Sequence, residues 1–281
     1  MSDGTRIDYV DWGGKGPAIV LLAGLGNSAR IFDELAPLLR RGRRVIAITR
    51  RGYGLSGDAA TGDYGNTRLV GDVIEVVDGL GIRRASFVGH SLAGGELGSL
   101  GADHPDRVRR LISLDAAYDR SAVPASWQVC HRYRVPRVPT SLASRRWRDG
   151  AMARWRAGAL GVGSPAVSSD LAATMRANPE GLRPRTPPAI AGAILAGDMA
   201  APPRYTKIKV PSLALYTSKD VAEQVPATAT PATRRAVIAY SLAKIRPWMM
   251  REEARFVAGQ RCGVAYEIPH SGHYLFLERP A

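Results

Sequence analysis

Short runs of aliphatic and β-branched residues alternate in this chain with stretches of helical periodicity. That alternation restricts the fold more than any other feature. Ala18–Ala23, Arg44–Ile48, Ala85–Val88 and Val108–Leu114 read as strands. Ser28–Arg40, Asn66–Leu80 and Ser91–Asp103 between them place apolar residues at helical spacing. Strands alternating with helices predict a parallel sheet joined by crossover helices, an α/β class of fold. The strands are nearly continuous apolar runs, as a sheet covered by helices on both faces requires.

The rhythm breaks near residue 120. From there to residue 205 prolines recur (Pro124, Pro136, Pro139, Pro165, Pro179 and Pro184–Pro188) and no strand-like run is visible. The pattern predicts an inserted helical cap of short helices and loops. A strand follows over Val210–Tyr216, then a helical stretch from about Ala232 to Ala258 interrupted at Pro247, then a last strand over Cys262–Ile268. The expected organisation is therefore a core from residues 1–119 and 206–281, with a cap from 120–205. A chain of 281 residues suits one domain of this size.

Composition narrows the function classes. The formal net charge is +14, a balance that can attract nucleic acid. The arginines are spread along the chain without interleaved aromatics, however, so a solvated basic surface is the expectation and nucleic-acid binding is not. No apolar run reaches the ~18 residues of a membrane span. Met1–Asp11 is polar, so no secretory leader is expected, although a chain trimmed of its leader would read the same way and the compartment stays open. Cys130 and Cys262 lack metal-ligand or redox spacing and are expected to be free thiols. No metal site and no cofactor are expected.

The stretch Val88-Gly89-His90-Ser91-Leu92-Ala93-Gly94-Gly95 joins a strand to a helix. A serine on such a turn, flanked by small residues, stands at the carboxyl end of the sheet as a nucleophile. Taken alone, the octapeptide also suits a helix N-cap. The amide of Leu92 can face a developing oxyanion at the helix N-terminus. A second amide can come from Leu25, in the stretch Leu22-Ala23-Gly24-Leu25-Gly26-Asn27 at the end of the strand 18–23, which taken alone also suits a plain strand-to-helix turn. A serine needs a histidine base oriented by a carboxylate. His273, in Pro269-His270-Ser271-Gly272-His273-Tyr274, follows the last strand and is favoured over its neighbour His270; His90 reads as a packed residue. For the acid, Asp220 after the strand 210–216 is the first choice, and Asp115 after Val108–Leu114 is its rival.

With these elements in place the chain resembles the α/β-hydrolase superfamily, and within it the esterase, lactonase and cofactor-free haloperoxidase branch. The motifs are Leu21–Ser28, Ile48–Ser56, Val88–Gly95, Tyr216–Asp220 and Pro269–Leu277. The resemblance implies Ser91 as nucleophile, His273 as base, Asp220 as acid, and Leu25 and Leu92 as oxyanion amides. It implies a small-molecule ester substrate and no cofactor. Arg51-Gly52-Tyr53-Gly54-Leu55-Ser56 resembles a structural turn of the family. Four departures stand out. Ala23 replaces a frequent histidine, and Ala93 replaces the second glycine around the nucleophile. The interval from Asp220 to His273 is long, which keeps Asp115 open as the acid. The family's usual last helix is not visible before Ala281. Relatives that cleave epoxides or carbon–halogen bonds use aspartate where this chain has Ser91. Peroxide-forming and C–C-cleaving relatives keep the serine.

Overall fold

The computed structural model describes residues 1–122, 164–178, 181–217 and 229–278. Its centre is a sheet of seven strands in the order β1-β3-β2-β4-β5-β8-β9. These are β1 (Tyr9–Gly13), β2 (Ala18–Leu22), β3 (Arg44–Ile48), β4 (Ala85–His90), β5 (Val108–Leu114), β8 (Ser212–Thr217) and β9 (Gly263–Ile268). β1 pairs antiparallel with β3, and the other pairs are parallel. β1 was not expected: it is an edge strand with no fully buried residue, so it leaves no apolar run to read.

Successive residues of the central strands enter opposite layers. Val20, Leu22, Ile46, Ile48 and Phe87 pack with α2 (Asn66–Gly79) and α3 (Ala93–Asp103). Leu21, Val45, Ala47 and Val88 pack with Ile31, Phe32 and the terminal α8 (Leu275–Glu278). This two-sided burial explains the continuous apolar strands. The expected helix over 28–40 is instead a 3-10 turn (Ala29–Phe32) followed by α1 (Leu35–Leu39). Restarting at Leu35 places Pro37 within a first turn, where its missing N–H has no intrahelical bond to forfeit.

Between β5 and β8 lies the insertion. Its described part holds α4 (Pro165–Thr174), a hairpin of β6 (Met175–Asn178) and β7 (Gly181–Pro184), and α5 (Pro188–Met199). The hairpin corrects the expectation of helices and loops alone; its short strands form no apolar run in the sequence. Trp127, Trp147, Trp155 and Cys130 lie outside the described residues. Cys262 is an exposed free thiol. The expected break at Pro247 is instead a π turn (Ser241–Ile245) joining α6 (Pro231–Tyr240) to α7 (Arg246–Gly259). Among the described residues no helix is long and apolar enough to cross a membrane.

Near the sheet's carboxyl edge α3 runs close both to β4 and to the segment after β5. A Cβ on Gly94 would lie 1.8 Å from the Ala116 carbonyl oxygen. A Cβ on Gly89 would lie 3.0 Å from that of Ala93. A methyl at 93 therefore fits because 89 is glycine, whereas 94 admits no side chain. Gly94→Ala is expected to destabilise the fold by at least ~1–3 kcal/mol, and Ala93→Gly by only about 1 kcal/mol. Urea unfolding of the two variants checks the order.

β4 ends on His90, which is fully buried. Its Nε2–H donates to the His273 carbonyl at 2.9 Å, and among the described residues its Nδ1 has no partner. Burial, with His273 and Arg120 acting in the same direction, holds its pKa well below the ordinary 6.5. The folded protein keeps this ring neutral while the unfolded chain protonates it. Stability should therefore fall as pH drops below about 6.5, by up to ~1.4 kcal/mol per pH unit. Urea midpoints between pH 7 and 5 should show this slope, reduced in His90→Gln; equal slopes would exclude His90 as its source.

Candidate active site

β2 sits between β3 and β4, so the chain winds outward in opposite directions from this point. Such a switch opens a crevice at the carboxyl ends of the strands. The loop after β2 forms one side of it and Ser91, after β4, the other. A Cβ on Gly24 would meet the Ser91 Cβ at 3.0 Å and the His90 Nδ1 at 2.8 Å. Glycine at 24 thus lets the Leu25 turn lie directly against the serine.

Ser91 has φ 53°, a left-handed conformation rare for serine. Its N–H continues the sheet ladder to the Leu114 carbonyl at 3.1 Å. Its carbonyl accepts from Gly94 N at 3.0 Å and from Arg120 Nη2 at 2.6 Å. Such strained residues persist where surroundings fix them, and they cluster at functional sites. Asp115 repeats the arrangement one strand over: φ is 48°, and its N–H donates to the Leu215 carbonyl at 2.7 Å. Register explains why they meet. His90 is opposite Leu114, and Leu114 opposite Leu215, so the residues just past β4 and β5 stand at one level.

His273 bridges them. Its Nε2 lies 2.9 Å from Ser91 Oγ, and its Nδ1 lies 2.6 Å from Asp115 Oδ2. Ionised Asp115 accepts from Nδ1–H, which leaves Nε2 as the acceptor facing the serine hydroxyl. The other carboxylate oxygen accepts from the Tyr118 hydroxyl. Burial, reinforced by Asp115, pushes the Tyr118 pKa well above 10, so this phenol stays a donor. The Gly272 N–H donates to Glu278 Oε2 at 2.8 Å, tying the His273 loop to α8. A Cβ at 272 would lie 2.5 Å from the end of the Glu278 side chain, so a larger residue there would displace that carboxylate.

Asp220, the expected acid, lies outside the described residues; the carboxylate at Nδ1 is Asp115. His270 is exposed, with φ 51°, and does not share the Ser91–His273–Asp115 chain. Leu92 is buried at the start of α3, and Leu25 lies in the turn closed by Asn27 N donating to the Gly24 carbonyl at 3.3 Å. Among the described residues neither leucine amide has a hydrogen-bond partner.

Several supporting residues escaped the sequence reading. Arg50 is buried; it pairs with Glu96 of α3 and donates from Nη2 to the Ala23 carbonyl at 3.1 Å. It braces the chain at Ala23, where β2 passes into the Leu25 turn. Arg51 is fully buried and forks onto Asp72 at 2.5 and 2.6 Å, so the Arg51–Ser56 turn is scaffold. The resemblance already marked Arg51–Ser56 as a structural turn, but nothing local in the sequence pointed to the buried ion pairs of Arg50 and Arg51. Among the described residues no group of three or more His, Cys, Asp or Glu is arranged to hold a metal ion.

Residues 17–146 match the family model described as the alpha/beta hydrolase fold. A non-heme haloperoxidase of Rhodococcus erythropolis is 39% identical over 117 residues, 41% of this chain and 42% of the relative. The 2-hydroxymuconate semialdehyde hydrolase of Pseudomonas putida is 38% identical over 116 residues, 41% of each. The matched stretch thus spans well under half of these curated relatives. Over nearly the full chain, the structure of E-2-(acetamidomethylene)succinate hydrolase superposes with a TM-score of 0.72 at 18% identity, covering 98% of this chain and 91% of the other. The enol-lactonase of Burkholderia xenovorans LB400 gives 0.60 at 23%, covering 99% and 93%. The seven-stranded, mostly parallel sheet, the serine turn and the family match over residues 17–146 together give the chain the α/β-hydrolase fold.

Proposed function

We propose that this protein is a serine hydrolase of carboxylic esters of small molecules. The observation that carries the reading is the continuous chain from Ser91 Oγ through His273 to Asp115, drawn from three strand ends. In this mechanism His273 Nε2 takes the hydroxyl proton as Ser91 attacks the ester carbonyl. The amides of Leu25 and Leu92 receive the tetrahedral oxyanion; one such donor is worth roughly 3 kcal/mol. His273 then protonates the leaving alcohol, and an acyl-enzyme remains. Water, deprotonated by the same nitrogen, releases the acid. Asp115 orients the imidazole and stabilises the imidazolium. These steps draw on side chains and backbone amides alone. Residues 120–205 serve as the cap over the substrate.

Asp115 is preferred to Asp220 as the acid because of its 2.6 Å bond to Nδ1 and its place level with Ser91. The haloperoxidase similarity favours a second acyl acceptor, hydrogen peroxide, which would turn the same acyl-enzyme into a peracid. The lactonase neighbour makes cyclic esters a natural substrate to include.

With 4-nitrophenyl acetate, Ser91→Ala should abolish turnover; a wild-type rate in that variant would end the serine mechanism. Asp115→Asn should lower kcat roughly 1,000- to 10,000-fold, while Asp220→Asn should stay near wild type. The opposite order would return the acid's role to Asp220. Product analysis with a linear ester, a lactone and added peroxide sorts the acceptors.

A further inference from the structure

The turn that presents the Leu25 amide is gripped by a residue of the insertion. Asp170, on α4, is 1% exposed. Its Oδ1 accepts from Ser28 N at 2.6 Å and Ser28 Oγ at 2.8 Å, and its Oδ2 accepts from Asn27 Nδ2 at 2.8 Å. Asn27 closes the turn onto Gly24, with Gly26 at φ 81° inside it. Its Oδ1 accepts from the hydroxyl of Tyr274, the residue after His273, at 2.9 Å. Asp170, Asn27 and Tyr274 thus form one line from the insertion, through the oxyanion turn, to the histidine loop.

We propose that Asp170 is a positioning residue for the oxyanion turn, its carboxylate fixing Asn27 and Ser28 and hence the direction of the Leu25 amide. This rests on the reading of Leu25 as an oxyanion donor. The chemistry at 170 calls for acceptors toward the turn, since Asn27 Nδ2, Ser28 N and Ser28 Oγ all donate to it. α4 is otherwise seated by apolar packing: Ala166, Val167 and Leu171 share a cluster with Ala29, Ile31 and Phe32. Its N-terminus is held through Glu34 Oε1, which accepts from Ser164 Oγ at 2.9 Å and Ala166 N at 3.2 Å. Loss of the carboxylate should therefore loosen the turn without unseating the helix.

The test is an exchange of the two side chains. Asn27→Asp alone sets two carboxylates face to face. Combined with Asp170→Asn, it restores a donor–acceptor pair, and the carboxamide oxygen at 170 can still receive both Ser28 donors. Ester hydrolysis and hydrogen exchange of the peptide spanning residues 24–28 are measured on wild type, Asn27→Asp and the double variant. Asn27→Asp should lose about 100-fold in kcat with KM little changed, and its turn amides should exchange faster. The double variant should recover at least about tenfold of that loss, together with slow exchange. Wild-type exchange in Asn27→Asp, or no recovery of exchange in the double variant, would overturn the proposal. If wild type fails to hydrolyse the ester while exchange behaves as expected, the ester reading falls and the positioning role stands.

Discussion

The site depends on one backbone constraint, the left-handed turn at Ser91. Forcing serine into this region costs on the order of 1–3 kcal/mol. The surroundings hold it there through the ladder bond to Leu114 and the Arg120 guanidinium on its carbonyl. The turn also brings α3 back so closely that Gly94 lies against the Ala116 carbonyl. The small residues in the octapeptide are thus separate answers to separate contacts. Gly89 makes room for Ala93 and Leu97, and Gly94 makes room for backbone. The alanine at 93 is no defect in the pattern once these contacts are distinguished.

Legibility in the sequence followed whether a feature was local. Ser91 and His273 could be singled out because each follows an apolar run in a short glycine-containing stretch. Most sheet strands were legible for the same reason: burial on both faces leaves an unbroken run. The acid was harder. Choosing between Asp115 and Asp220 requires knowing which strands are neighbours and at what level they end, and the register His90–Leu114–Leu215 is a property of the sheet alone. Asp170 carried no signal, because a buried aspartate in a proline-rich insertion looks like any surface aspartate until its partners are seen.

Charge was the other place where composition misdirected. The arginines read as a solvated surface, yet Arg50 is buried and Arg51 is completely buried. Each is matched by a carboxylate, Glu96 for Arg50 and Asp72 for Arg51, and each also reaches a backbone carbonyl, Ala23 or Asp63. Removing one partner of such a pair leaves an uncompensated buried charge, so these pairs lock their segments in place even where they add little net stability. Arg50 bears directly on the site, because Ala23 is where β2 hands over to the Leu25 turn beside Ser91.

That turn is consequently held from two separate segments of the chain. Arg50 grips its start from within the sheet-and-helix core, and Asp170 grips its end from the segment between β5 and β8. Insertions at this place are natural units to exchange when building chimaeras with altered pockets. Here the seam does not fall between parts that ignore each other. A transplanted insertion without an acceptor facing Asn27 and Ser28 would leave three buried donors without their carboxylate beside the serine, so compatibility at the graft is decided at residues 27, 28 and 170.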